Sequence, residues 1–149
     1  MNNPNGECEC SVNGQFLLFS ARGPRNDETM RNGVVKMSSD ISQFEKGTKW
    51  AQVSCLYGES LMPPSTFDIF VKQTRVRKTR GLSFLAVVIL DTDIMLTTKH
   101  QISQCYDAAE VLYGFYETVE DALEAMTNNG YDFDSDEAER FFARFNFTR

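Results

Sequence analysis

A chain of 149 residues has the size of one domain and is long enough to bury a core without disulfide or metal staples. Its 21 acidic residues against 15 basic ones leave a net charge of -6, the wrong sign for a nucleic-acid surface. No apolar run approaches the ~20 residues of a membrane span, and the first residues carry no basic-then-apolar leader pattern. The expectation is therefore a cytoplasmic protein with no membrane span and no nucleic acid among its partners.

Residues 1–6 are polar and turn-rich and read as a disordered end. Glu7–Val12 alternates, Asn13-Gly14 carries the two-residue signal of a type I′ turn, and Gln15–Ala21 returns as a second strand. Arg22-Gly23-Pro24 breaks that strand and Asn26 or Asp27 offers a helix cap. Met30, Val34, Met37, Ile41 and Phe44 then recur at helical spacing, with Gly47 as the stop.

Lys49–Leu56 is β-like, and Tyr57–Pro64 is the longest break between elements. Two prolines forbid a helix before Ser65, so Ser65 or Thr66 caps a helix whose apolar face is Phe67, Phe70, Val71 and Thr74 and which Gly81 ends. Phe84–Leu90 is the most apolar run and reads as a central strand buried on both faces. Asp91 or Asp93 caps a third helix carrying Ile94, Met95, Thr98, Ile102 and Cys105. Val111–Tyr116 is the last strand, and Thr118 with Asp121 caps a helix bearing Val119, Ala122, Leu123 and Met126.

The order is ββαβαβαβα, which specifies an α/β domain over residues 7–130 with a mostly parallel sheet, an N-terminal hairpin and covering helices. Residues 131–149 add one more helix, capped by Ser135, with Asp136 and Glu137 in its first turn. Five of the chain's 12 phenylalanines lie in the last 17 residues, and Ala138, Phe141, Phe142 and Phe145 share one helical face. That face has to dock on the domain itself or on a second copy, which would make a homodimer.

Sites with familiar chemistry are scarce. Cys8 and Cys10 form a C-x-C pair on a strand, Cys55 and Cys105 fall in apolar elements, and no C-x-x-C occurs. The one histidine, His100, sits in the third helix without a partner at metal-ligand spacing. Asp132, Asp134 and Asp136 imitate the opening of a calcium loop, yet Glu137 stands where the loop needs glycine and Ala143 where it needs glutamate. Glycine-rich phosphate loops and the G-x-S-x-G elbow are missing as well, so the expectation is a non-enzyme with no cofactor and no metal. Lys72, Arg75, Arg77, Lys78 and Arg80 place five cations in nine residues of an acidic chain, either as a solvated helix face or as a patch for an anion or acidic partner.

Several segments carry a family flavour. Asn13-Gly14 leads into Phe16-Leu-Leu-Phe19 and a terminating Gly23. Gly81-Leu82-Ser83-Phe84-Leu85-Ala86-Val87-Val88 and Phe115-Tyr-Glu-Thr-Val-Glu-Asp-Ala122-Leu123 follow in the matching order. Over residues 7–128 the chain resembles the STAS and SpoIIAA-like family, the anti-sigma-factor-antagonist fold. The resemblance implies a regulatory module that binds a protein partner through the 57–66 loop and the following helix. That surface would carry Tyr57, Glu59, Ser60, Ser65 and Thr66. It also implies lipid-binding relatives, and a chain rich in Phe and Met can line an apolar pocket, so a carrier of a small apolar ligand is the alternative. The family's Asp-Ser-(Ser/Thr)-Gly-Leu phosphoswitch is missing after the third strand. Ser60, Ser65 and Thr66 match it by position only.

Overall fold

In the computed structural model, which describes residues 7–149, β1 (Glu7–Asn13) and β2 (Phe16–Arg22) pair antiparallel with Asn13 opposite Phe16. The disorder expected of residues 1–6 lies outside the described residues. The hairpin loop is Gly14-Gln15. Of these two only Gly14 has positive φ (56°), so the turn follows the glycine-first pattern of type II′ and not the expected I′. Asn13 is a strand residue whose side chain exchanges two 2.8 Å hydrogen bonds with the backbone of Asp134. A Cβ at position 14 would strike the Asp132 carbonyl, so glycine is required there by close approach as well as by φ.

Every later strand runs parallel to its neighbour: β3 (Trp50–Tyr57), β4 (Leu82–Leu90) and β5 (Tyr113–Tyr116), in the spatial order β1-β2-β3-β4-β5. The crossovers α1 (Asp27–Ile41), α2 (Pro64–Thr79) and α3 (Met95–Ala109) all step in one direction across the sheet. Because such crossovers are right-handed, all three helices fall on one face. Met37, Phe70 and Ile102 pack there against Leu17, Leu85 and Val87. The two-residue period of the strands sends Phe16, Leu18, Val53 and Val88 to the other face, which α4 (Val119–Asn128) and α5 (Ser135–Arg144) cover with Leu123, Met126 and Phe142. The protein is thus an α/β domain with a mostly parallel five-stranded sheet, as its element order implies.

Element ends depart from expectation where a side chain found a tertiary partner. Asn26 and Thr29 form a reciprocal capping box at the start of α1, but the helix ends at Ile41, short of Gly47. Phe44 leaves the helix to stack on Trp50, ring centroids 4.8 Å apart. α2 starts at Pro64, in its first turn, where a missing N–H costs nothing; neither Ser65 nor Thr66 caps it. Neither Asp91 nor Asp93 caps α3, because Asp91 is turned to Arg22. Ser135 lies inside α5, and Asp134 is the cap, accepting from the Glu137 amide at 3.1 Å.

Candidate functional site

α1 stands on β1 and α2 and is held at the β1 edge by polar ties. Lys36 Nζ donates to the Cys8 carbonyl (2.8 Å) and to Glu9 (3.1 Å), and the Cys10 thiol donates to Asp40 (2.9 Å). Beneath the helix lies a cavity of about 680 Å³ over β2 and β3, within the size range of small-molecule sites. Its walls are mainly apolar, among them Phe19, Ala21, Met30, Met37, Leu56 and Phe70. The exposed side chains Val35, Val76 and Arg80 also line it, so it reaches solvent along the side of α1 and α2.

One wall of the cavity is a buried polar cluster. Gln52 and Ser54, two residues apart on β3, face α1, and Arg77 of α2 meets them. Arg77 Nη1 donates to Gln52 Oε1 (2.9 Å) and toward Met37 Sδ (3.3 Å), Nη2 donates to Thr74 Oγ1 (2.9 Å), and Gln52 Nε2 donates to Ser54 Oγ (2.9 Å). Its Nε has no partner among the described residues. Arg25 and Tyr106 line the same space; burial pushes the Tyr106 phenol up, so it stays neutral. Arg77 therefore does not belong to the exposed basic run in which the sequence placed it. Counting back along the helix, Phe70, Thr74 and Arg77 share the inward face at i, i+4 and i+7.

The 57–66 loop is more closed than its sequence implied. Tyr57, Ser60 and Thr66 are buried, and of the five residues singled out there only Glu59 and Ser65 are exposed. The Ser65 and Thr66 hydroxyls both donate to Asp27 Oδ1, at 3.0 and 2.7 Å, and these bonds hold the Asp27 carboxyl below the usual range. A phosphate on Ser65 would meet that carboxylate. Gln101 of α3 clamps the loop by accepting from the Met62 amide and donating to its carbonyl, both at 2.8 Å. A shallower depression of about 210 Å³ lies beside the clamp.

No protein-family model and no curated protein matches the chain. Among solved structures it is similar to an uncharacterized protein of the DUF3478 family with a SpoIIAA-like fold from Shewanella loihica PV-4. The TM-score is 0.58 at 12% identity, with 83% of this chain and 97% of that chain covered. The fold is SpoIIAA-like. A likeness at this identity transfers architecture only, so chemistry has to come from this chain's own residues.

In this SpoIIAA-like domain the rest of the basic run stays outside. Lys72, Arg75, Lys78 and Arg80 are exposed, and two of them serve α3: Arg75 donates to the Ala108 carbonyl (3.0 Å) and Lys78 to the Glu110 carbonyl (2.7 Å). These are unpaired acceptors at a helix C-terminus, where cations are favoured. The cysteines are separated. Cys8 and Cys10 face α1, Cys105 lies in the same layer, Cys55 lies in the other, and burial pushes the thiols of both Cys55 and Cys105 up to about 11. Among the described residues no His, Cys, Asp and Glu side chains gather as a metal site. Sequence reasoning passed over Gln52, Ser54, Arg25 and Tyr106. Gln52 and Ser54 did leave a trace, as two polar residues at strand spacing inside an otherwise apolar run.

Proposed function

We propose that the protein is a non-enzymatic SpoIIAA-like binding module whose cavity under α1 takes a small apolar ligand. The observation that carries this reading is the cavity itself, about 680 Å³ of largely apolar space between α1 and the sheet. Space of that size forfeits packing contacts along its whole lining, which a ligand would restore. The neutral fluorophore N-phenyl-1-naphthylamine tests the reading. Saturable binding at one site per chain is expected, and it should be lost in Ala21→Phe, which fills the cavity from β2. Absence of binding to the wild type, or binding unchanged in an Ala21→Phe protein that retains its melting temperature, would sink it.

A second reading, a regulatory surface for a protein partner, rests on exposed apolar residues near the loop clamp. Leu61 is 40% exposed beside Met62, and Leu96, at the start of the helix that carries Gln101, is 82% exposed. Leu61→Asp with Leu96→Asp should then release a partner recovered with the wild-type chain, without changing probe binding in the cavity. A partner that stays bound would count against it.

A further inference from the structure

The cavity's polar wall holds a charge with no counter-charge. Arg77 is 6% exposed, and its hydrogen-bond acceptors are an amide oxygen, a hydroxyl and a thioether, all neutral. Among the described residues it has no ion pair, and neither has Arg25, the half-buried cation on the same cavity. The two carboxylates of β1 that line this space are engaged elsewhere, Glu9 by Lys36 and Glu7 by Arg149. The ionisable groups facing Arg77, Tyr106 and Cys105, are both pushed up by burial and are neutral at pH 7. A guanidinium cannot shed its proton to relieve burial, as a lysine or histidine can. Burying one without an anion leaves its desolvation uncompensated, and leaving one N–H without an acceptor adds to that cost. Burial pulls both guanidinium pKa values down, and for Arg25 the charge of Arg77 adds to the effect, so the two cations share one field.

We propose, on the reading that the cavity holds an apolar ligand, that this ligand is an anionic amphiphile: a carboxylate or phosphate head set against Arg77 and Arg25, with an aliphatic body along the apolar walls. Arg77 lines the cavity with its charge unmatched and its buried Nε–H without an acceptor, and the half-buried Arg25 adds a second unmatched guanidinium on the same cavity, so an anionic head supplies the counter-charge that the protein itself does not. Gln52 and Thr74 hold the two Nη atoms, which fixes the position of the charge before the ligand arrives.

Displacement of N-phenyl-1-naphthylamine by dodecanoate, dodecyl phosphate, dodecanol and dodecyltrimethylammonium tests the proposal, with acetate and inorganic phosphate titrated alone by calorimetry. The expected result is that at least one of the anionic chains competes at concentrations about tenfold or more below dodecanol, the cationic chain competes worst, and the small anions bind negligibly. Whichever of dodecanoate and dodecyl phosphate is preferred names the head group. The advantage over dodecanol should vanish in Arg77→Met and shrink in Arg25→Met. Arg25 makes no ion pair among the described residues, so the second variant keeps the test decisive if the first fails to fold. Equal competition by dodecanol and both anionic chains, or an advantage unchanged in the variants, would overturn the anionic head while leaving the apolar-cavity reading intact. Inorganic phosphate binding as tightly as dodecyl phosphate would overturn the amphiphile. Failure of the fluorophore to bind the wild type would remove the cavity reading beneath it.

Discussion

Burial acts differently on the groups that can lose a charge and on those that cannot. The Cys55 and Cys105 thiols answer burial by staying protonated, with values near 11, whereas Arg77 keeps its charge and has to be solvated by neighbours. At pH 8 the folded protein should therefore leave Cys55 and Cys105 unlabelled by a disulfide reagent such as Ellman's, and both should react once the chain is unfolded in urea. Rapid labelling of either in the native state would contradict their place in the two layers. Val87 reports on the same packing without charge, since it is fully buried in β4 between β3 and β5. Val87→Ala should lower unfolding free energy by about 1–3 kcal/mol in urea titration, through lost transfer energy and the cavity left behind. A loss below about 0.5 kcal/mol would mean that this face of the sheet is poorly packed.

Element ends are where local signals compete with tertiary ones. Asp134 and Ser135 both carry side chains fit for a cap, and the backbone chooses Asp134 because Asn13 and Gln15 pin the preceding residues to the hairpin. The Gln15 amide donates to the Asp132 carbonyl at 2.7 Å, and the Asp132 and Asp134 amides donate to the Gln15 and Asn13 side chains. Chain entry into α5 is thereby fixed one residue earlier than propensity alone would set it. Asp134→Ala should cost about 1 kcal/mol of stability, while Ser135→Ala, which removes no cap, should fall within about 0.5 kcal/mol of wild type. The reverse order, measured by thermal unfolding, would reassign the cap. The same competition explains the basic run. The sequence clusters all five cations on one stretch, but two of the exposed ones, Arg75 and Lys78, find α3 carbonyls, and Arg77 falls on the inward side of α2.

At the scale of the whole molecule the C-terminal tail returns to β1 and β2. After α5 the tail crosses β2: Ser20 donates to the Phe145 carbonyl at 2.7 Å and Arg22 to that of Phe147 at 2.9 Å, while the Arg149 side chain pairs with Glu7. Asp91 ties this closure to β4 by accepting from Arg22 and from the Arg149 amide, and those bonds hold its carboxyl below the usual range. A depressed folded value means that the contribution is complete above the unfolded pKa near ~4 and is lost as pH falls through the folded value. Amide protection over residues 145–149 should therefore hold from neutral pH to about pH 4 and drop only below it, before the core opens, and Asp91→Asn should produce the same loss at pH 7. Protection that stays constant in both experiments would show that the tail is held by its phenylalanines alone.

The element order, the parallel sheet, the SpoIIAA-like resemblance and the apolar Phe face of α5 were all legible in the sequence. Each depends on local periodicity, turn residues and right-handed crossover, which act over a few residues and tolerate small errors of boundary. Only the tertiary structure decided the direction of Arg77, the use of Asn13 as a tether, the pairing of Asp91 with Arg22 and the space left beneath α1. Those outcomes are set by which donor or acceptor lies across a layer, 25 residues away for Gln52 and Arg77 and 121 for Asn13 and Asp134. A buried polar group accepts whatever partner the packing brings to it, and that information is absent from its neighbours in the chain.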